Sequence, residues 1–188
     1  MKNLKFLLQY IFKPRTVGAV LPSSKYLAKK MVESINFDTA KCIVEYGPGT
    51  GVFTELILAS CGPATKVILF EMNEEFCNLL AKRYGTRQNV YIVNASAVNV
   101  GAKLAELGLP YADYIVSGLP FASLPQSVTV NILTQTKNCL APAGQFITFQ
   151  YSMLKKEMIG RFFSKIEVVR EVRNIPPAYV LRCSGNGA

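Results

Sequence analysis

Histidine is absent from this chain of 188 residues, and so is tryptophan. Without an imidazole, every mechanism that needs one as base, nucleophile or metal ligand is excluded. Acids are scarce as well, with 12 against 21 basic residues. No apolar run reaches the ~18–20 residues that a membrane-spanning helix requires. The five cysteines, Cys42, Cys61, Cys77, Cys139 and Cys183, are scattered and form no CxxC pair. That spacing predicts no disulfide framework, no zinc site and a reducing cytosolic compartment. Cys42 and Cys183 sit in strand-like runs and read as core filler. The charged share of 18% and a mean hydropathy of +0.23 exclude a disordered chain.

What is present is apolar: 50% of the residues, enough for one full core. The length suits one domain. The net charge is +9 and unevenly placed. Seven basic residues (Lys2, Lys5, Lys13, Arg15, Lys25, Lys29, Lys30) precede the first acid, Glu33. A basic end on a nearly neutral body predicts a partner with negative charge, either nucleic acid or an anionic membrane surface.

Leu4, Leu7, Leu8 and Ile11 fall at helical spacing between Lys2, Lys5 and Gln9, and Phe6, Tyr10 and Phe12 widen the apolar face. Pro14 ends this amphipathic helix. The segment begins as a signal peptide would, but Lys5, Lys13 and Arg15 interrupt it and no small-residue cleavage site closes it, so it is expected to be retained. Ser23 or Ser24 then caps a second helix whose face is Leu27, Met31, Val32 and Ile35. Residues 1–38 thus read as added N-terminal helices and 39–188 as the body of one compact unit.

From Cys42 onward, short β-branched runs alternate with helical segments. Strands are expected at 42–46, 66–70, 90–93, 113–116 and 145–150, and helices at 52–60, 73–84, 126–140 and 152–163. Two late strands, 166–172 and 178–183, have no helix between them and should pair as an antiparallel hairpin. The fold class is therefore α/β: a doubly wound, Rossmann-like, mostly parallel sheet with a C-terminal antiparallel hairpin.

The sharpest motif is Glu45-Tyr46-Gly47-Pro48-Gly49-Thr50-Gly51, between a strand and a helix. Glycines there let a ligand approach the backbone, and the next helix turns its N-terminus to the pocket. Glu71 ends the second strand, 24 residues after Gly47, where doubly wound folds place the acid that accepts ribose hydroxyls. The spacing is GxGxG, neither the GxGxxG of dinucleotide sites nor a phosphate loop, since no GK[ST] follows.

At these residues the chain resembles the class I methyltransferases, whose first motif is an acid followed by GxGxG. The resemblance runs from about Cys42 to Cys183 and implies seven strands with S-adenosylmethionine over the carboxyl ends, and S-adenosylhomocysteine as product. It implies that Gly47, Gly49 and Gly51 line the methionine and ribose part. It also implies that Glu45 places the methionine end, Glu71 binds the ribose and Met72 packs on the adenine. Asn94-Ala95-Ser96-Ala97 stands where the family has an aspartate on the adenine edge, so the Ala95 and Ser96 backbones are left to serve. No metal is implied.

Ser117-Gly118-Leu119-Pro120-Phe121 resembles the acceptor loop of amine methyltransferases, above all the NLPY and NLPF forms of rRNA adenine dimethylases. By that resemblance the loop orients the acceptor amine, with Pro120 fixing the turn and Phe121 stacking on a base or facing a cation. An alkylammonium must first lose a proton, and water, Tyr151 or Asp113 are the candidates to take it. Phe12-Lys13-Pro14-Arg15-Thr16-Val17-Gly18-Ala19-Val20-Leu21-Pro22-Ser23-Ser24 resembles the bacterial phospholipid N-methyltransferases, which carry a GAxxPSS segment, as do Ser117–Phe121 and Asn174-Ile175-Pro176-Pro177-Ala178; this implies Ser23 and Ser24 beside the methionine end. The rRNA dimethylases carry a glutamine-containing segment at the first place and usually a further helical domain, for which nothing remains after Cys183. The expectation is a cytoplasmic enzyme, peripherally bound to an anionic membrane, that methylates phosphatidylethanolamine-type amines. An rRNA adenine N6-methyltransferase and a non-catalytic S-adenosylmethionine-binding protein stand as alternatives.

Overall fold

The computed structural model describes residues 24–153 and 155–185. The amphipathic segment expected at Met1–Phe12, and Ser23, lie outside the described residues.

Helix α1 (Lys25–Val32) starts where Ser24 accepts the Leu27 N–H at 3.2 Å, satisfying one of the free donors of the first turn. Leu27, Ala28, Met31 and Val32 form its buried face. Strand β1 (Cys42–Tyr46) leads through the glycine turn into α2 (Val52–Ser60). Strand β2 (Lys66–Phe70) is followed by α3 (Glu74–Tyr84), capped by Asn73, whose side chain accepts the Glu75 and Phe76 N–H groups. Strand β3 (Val90–Val93) leads through a 3-10 turn (Ala97–Asn99) to α4 (Val100–Glu106), a helix the sequence reading did not foresee. Then come β4 (Ala112–Ser117), α5 (Gln126–Cys139), β5 (Leu140–Gln150), a short α6 (Lys156–Gly160), β6 (Lys165–Glu171) and β7 (Ala178–Ser184).

The sheet has seven strands in the order β3-β2-β1-β4-β5-β7-β6. All pairings from β3 to β5 are parallel, and β7 is antiparallel to both β5 and β6. The α/β class with a late hairpin is as expected. The strands are apolar throughout because both faces are covered. Cys42, Val44, Tyr46, Ile68 and Phe70 pack on the face of α4 and α5, and Ile43, Val67 and Leu69 on the face of α1, α2 and α3. Each fully buried aliphatic side chain contributes about 1.5–3 kcal/mol.

Two elements differ from expectation. The helix expected over 152–163 is only Lys156–Gly160. Ile159 within it and Phe163 just past it are buried, four residues apart, and hold that single turn against the core. The helix expected over 126–140 ends at Cys139, and Ala141-Pro142-Ala143-Gly144, ahead of the strand expected at 145–150, is an excursion within β5. Ala112 pairs with Leu140 and Tyr114 with Gln145, so a single residue of β4 opposes residues 141–144. Among the described residues no helix is long and apolar enough to cross a membrane.

Candidate active site

The strand order places the switch of winding direction between β1 and β4, the position at whose carboxyl edge open α/β sheets bind their ligands. Four connections meet at that edge: Gly47–Gly51 after β1, Glu71–Asn73 after β2, Asn94–Ala97 after β3 and Ser117–Phe121 after β4. The motifs singled out in the sequence are thus neighbours in space.

The glycine turn is held from both sides. Gly47 N–H donates to the Phe70 carbonyl at 2.9 Å, and Gly118 N–H donates to the Tyr46 carbonyl at 2.8 Å. Gly47 adopts φ +63°, and a Cβ there would lie 2.9 Å from Leu119 Cδ2. A Cβ on Gly118 would lie 2.7 Å from the Gly47 carbonyl oxygen. The glycine turn after β1 and the Ser117–Phe121 loop after β4 are therefore packed backbone against backbone, a contact that neither motif announces alone. Gly51, at φ +86°, is the N-cap of α2. Beside Gly49, by contrast, a Cβ would meet no atom within 4 Å.

Two carboxylates flank the turn. Glu71 is 3% exposed; it accepts the Gly49 N–H at 3.0 Å and the Asn73 N–H at 2.8 Å. A carboxylate has about four acceptor sites, so both oxygens keep capacity for hydroxyl donors. Burial pushes its pKa up, opposed by those backbone donors. Glu45 is fully buried, and Thr54 Oγ1 donates to its Oε2 at 2.7 Å while Oε1 has no partner. Burial pushes the Glu45 carboxyl up to about 8, against the Thr54 hydrogen bond. Thr54 escaped the sequence reading. Its signal was a hydroxyl on the buried side of the first turn of α2, facing an acid on β1.

The other expected residues fall as follows. Met72 is partly exposed on the rim. Ser96 caps the 3-10 turn, and Ala95 N–H donates to the Val93 carbonyl at 2.9 Å. Asn94 Nδ2 donates to the Glu71 carbonyl at 3.0 Å, tying the third connection to the second. Ser24 does not stand alone: its N–H donates to Asn174 Oδ1 at 3.1 Å, joining α1 to the β6–β7 turn. Ser117 is buried, and its hydroxyl accepts the Leu119 N–H at 3.2 Å, so that oxygen shapes the loop. Gly118, Leu119 and Pro120 are half-buried at the mouth.

Two expectations need correction. The Phe121 ring is not offered to an acceptor; it is wholly buried and edge-on to Phe146 at 6.1 Å, because the apolar core beneath the loop takes the ring. Asp113 is no proton acceptor for the site. Its Oδ2 accepts the Lys41 and Cys42 N–H groups at 2.8 and 2.9 Å, at the amino ends of β1 and β4, the opposite edge of the sheet. Tyr151 does lie just past the carboxyl end of β5, 39% exposed, with its hydroxyl pushed up by burial and pulled back by Asn174.

This sheet order, the glycine turn and the acid ending β2 define a class I S-adenosylmethionine-dependent methyltransferase. The sequence matches the family described as ribosomal RNA adenine dimethylase over residues 21–167, and the chain belongs to that family. It is 34% identical to an ornithine lipid N-methyltransferase of Singulisphaera acidiphila over 98% of this chain and 97% of that protein. It is 28% identical to the ribosomal RNA small subunit methyltransferase A of a Hydrogenobaculum species, over 82% of this chain but 54% of that protein. The chain thus spans about half the length of that second relative. In fold it is similar to the N-methyltransferase NodS of Bradyrhizobium japonicum in complex with S-adenosyl-L-homocysteine, with a TM-score of 0.68, 12% identity and coverage of 85% of this chain and 83% of that one.

The residues fit the cofactor. Glu45 offers an unpartnered buried oxygen suited to an ammonium, Glu71 has spare acceptor sites for ribose hydroxyls, and the space beside Gly49 is open.

Proposed function

We propose that this chain is a lipid N-methyltransferase acting on the primary amine of a phosphatidylethanolamine-type headgroup at the surface of an anionic membrane. The observation that carries the reading is the end-to-end likeness to an ornithine lipid N-methyltransferase, set against partial likeness to rRNA methyltransferases. When bound, S-adenosylmethionine supplies an electrophilic methyl on a sulfonium. Glu45, Glu71 and the Gly47–Gly51 turn hold it, with Met72 and the Ala95–Ser96 backbone toward the base and Ser23 and Ser24 toward the methionine end.

The chain contributes alignment more than acid–base chemistry. Carbonyls of the Ser117–Pro120 loop orient the acceptor amine, and the packing of Gly118 on Gly47 fixes the distance between acceptor and donor. Phe121 acts as the anchor of that loop. The ammonium gives its proton to water, with Tyr151 the one side chain of the notable candidates at this edge.

An rRNA adenine acceptor is the second reading, favoured by the family match and by the NLPF-like loop. Purified protein and labelled S-adenosylmethionine, offered vesicles containing phosphatidylethanolamine, vesicles containing ornithine lipid, or rRNA, decide between them. Label in lipid is expected. Label confined to rRNA overturns the lipid reading.

A further inference from the structure

Exposed large apolar side chains are not spread evenly. Val172 is 62% exposed and Ile175 is 75% exposed, the two highest values among the large apolar side chains described. Both lie in the turn between β6 and β7, over residues 172–177. The register fixes where that turn sits. Glu171 pairs with Ala178, and Tyr179 pairs with Gln150 at the end of β5. The turn therefore emerges at the carboxyl edge, the edge that holds the glycine turn and the acceptor loop.

It is not a loose loop. Asn174, at its centre, is 2% exposed; it accepts the Ser24 N–H and donates from Nδ2 to the Pro176 carbonyl at 2.7 Å. Arg173 is paired with Glu171 through two 2.9 Å contacts, and its guanidinium lies 4.4 Å from the Tyr26 ring centre. One buried polar residue and one ion pair thus hold a short turn with two aliphatic side chains outward.

Basic residues stand beside it. Lys25 and Lys29 are exposed on α1, and among the described residues neither has an acid partner. Lys29, Lys30, Arg173 and Tyr26 line a cavity of about 510 Å³ between α1, α2 and the turn. The acids facing this region are already engaged: Glu33 with Lys30 and Arg182, and Glu171 with Arg173.

We propose that the β6–β7 turn is an interfacial wedge: Val172 and Ile175 enter the headgroup layer of an anionic bilayer while Lys25 and Lys29 face its phosphates. The proposal rests on the lipid reading for its purpose, since it holds the acceptor crevice against the source of substrate. Charge requires an anionic partner, and the two outward aliphatic side chains beside it select a bilayer over RNA, whose phosphates offer nothing apolar to enter. Size argues against a protein partner. Two aliphatic side chains present far less than the ~800 Å² per side that a stable protein interface buries, whereas shallow insertion needs only a few apolar groups beside positive charge.

The test uses the full chain and vesicles of phosphatidylcholine with or without phosphatidylglycerol, read by sedimentation. Wild type is expected to pellet with the anionic vesicles and not with the neutral ones. Val172→Ser with Ile175→Ser should weaken pelleting roughly tenfold, about 1.4 kcal/mol. Lys25→Glu with Lys29→Glu should do the same and remove the preference for anionic lipid. Calorimetry with S-adenosylmethionine should be unchanged in both, which shows that they fold. Unchanged pelleting of the serine variant, no pelleting of wild type, or loss of rRNA binding instead of vesicle binding each overturns the wedge. Activity separates the two readings. A wild type that pellets through this turn yet transfers no methyl to lipid leaves the wedge standing and removes the lipid reading.

Discussion

Glu45 and Glu71 flank the same turn with different environments. Glu71 accepts two backbone N–H groups at the rim, so Glu71→Ala removes the proposed ribose acceptor and strands two donors, each worth about 1–3 kcal/mol if left buried. Cofactor affinity should fall at least tenfold, read by calorimetry; equal binding by the variant would sink the assignment. Glu45 is the case for a pH experiment. Its carboxyl is pushed up to about 8 in the folded chain, above the ordinary 4.5. The native state therefore binds more protons than the unfolded chain between those values, and stability without cofactor should fall as pH rises from about 4.5 to about 8. Glu45→Gln keeps the shape and should flatten that part of the profile, as measured by chemical denaturation at several pH values. An ammonium placed at the free Oε1 favours the ionised acid, so binding near pH 7 should release a proton. Buffers of different ionisation enthalpy would show it, and identical binding heats in all of them would remove Glu45 from the cofactor site.

The connections, more than the strands, decide what this sheet does. Gly118→Ala would bring a methyl to 2.7 Å from the Gly47 carbonyl, a fixed backbone atom. Stability should drop by about 1–3 kcal/mol, and turnover should fall by more than cofactor affinity, because the acceptor loop is what must move. Gly49→Ala meets open space, so its cost is the positive φ of 55°, about 1–2 kcal/mol, and the methyl projects where the cofactor is expected. Thermal unfolding paired with steady-state kinetics separates the two. A Gly118 variant with normal turnover, or a Gly49 variant with normal affinity, contradicts the division of labour. The local order of these elements was legible because apolar runs and glycine punctuation alternate, and Glu45, Gly47–Gly51 and Glu71 stand where a doubly wound sheet needs them. The backbone contact between two distant loops was not legible, since it depends on β4 lying next to β1. Nor was α4, whose anchors Val100 and Leu104 make one helical pair beside Gly101, too short a pattern to read. Phe121 was misjudged because an aromatic beside a proline turn looks the same in sequence whether its ring faces the crevice or the core.

At the scale of the whole molecule, the proposed function joins the charge of +9 to the edge that carries the candidate active site. The β6–β7 turn, Lys25 and Lys29 lie beside that edge, and the amphipathic segment Met1–Phe12 precedes α1 in the chain. Its spacing of Leu4, Leu7, Leu8 and Ile11, with Lys2, Lys5 and Lys13 around them, suits a helix lying in an interface. Salt cannot tell membrane from RNA, because screening shortens the Debye length from ~10 Å at 0.1 M to ~3 Å at 1 M for either partner, and counterion release weakens RNA binding as well. Hydrophobic contributions can tell them apart, because insertion needs the apolar face and phosphate contacts with RNA do not. Leu8→Glu attacks that face and removes no lysine. It should abolish most pelleting with anionic vesicles, as should deletion of Met1–Phe12, and both should leave S-adenosylmethionine binding largely intact, since the cofactor contacts argued above lie from Ser23 onward. If the truncated enzyme methylates phosphatidylethanolamine in vesicles at the wild-type rate, the segment is not the recruiting element, and the β6–β7 turn with Lys25 and Lys29 must account for attachment alone.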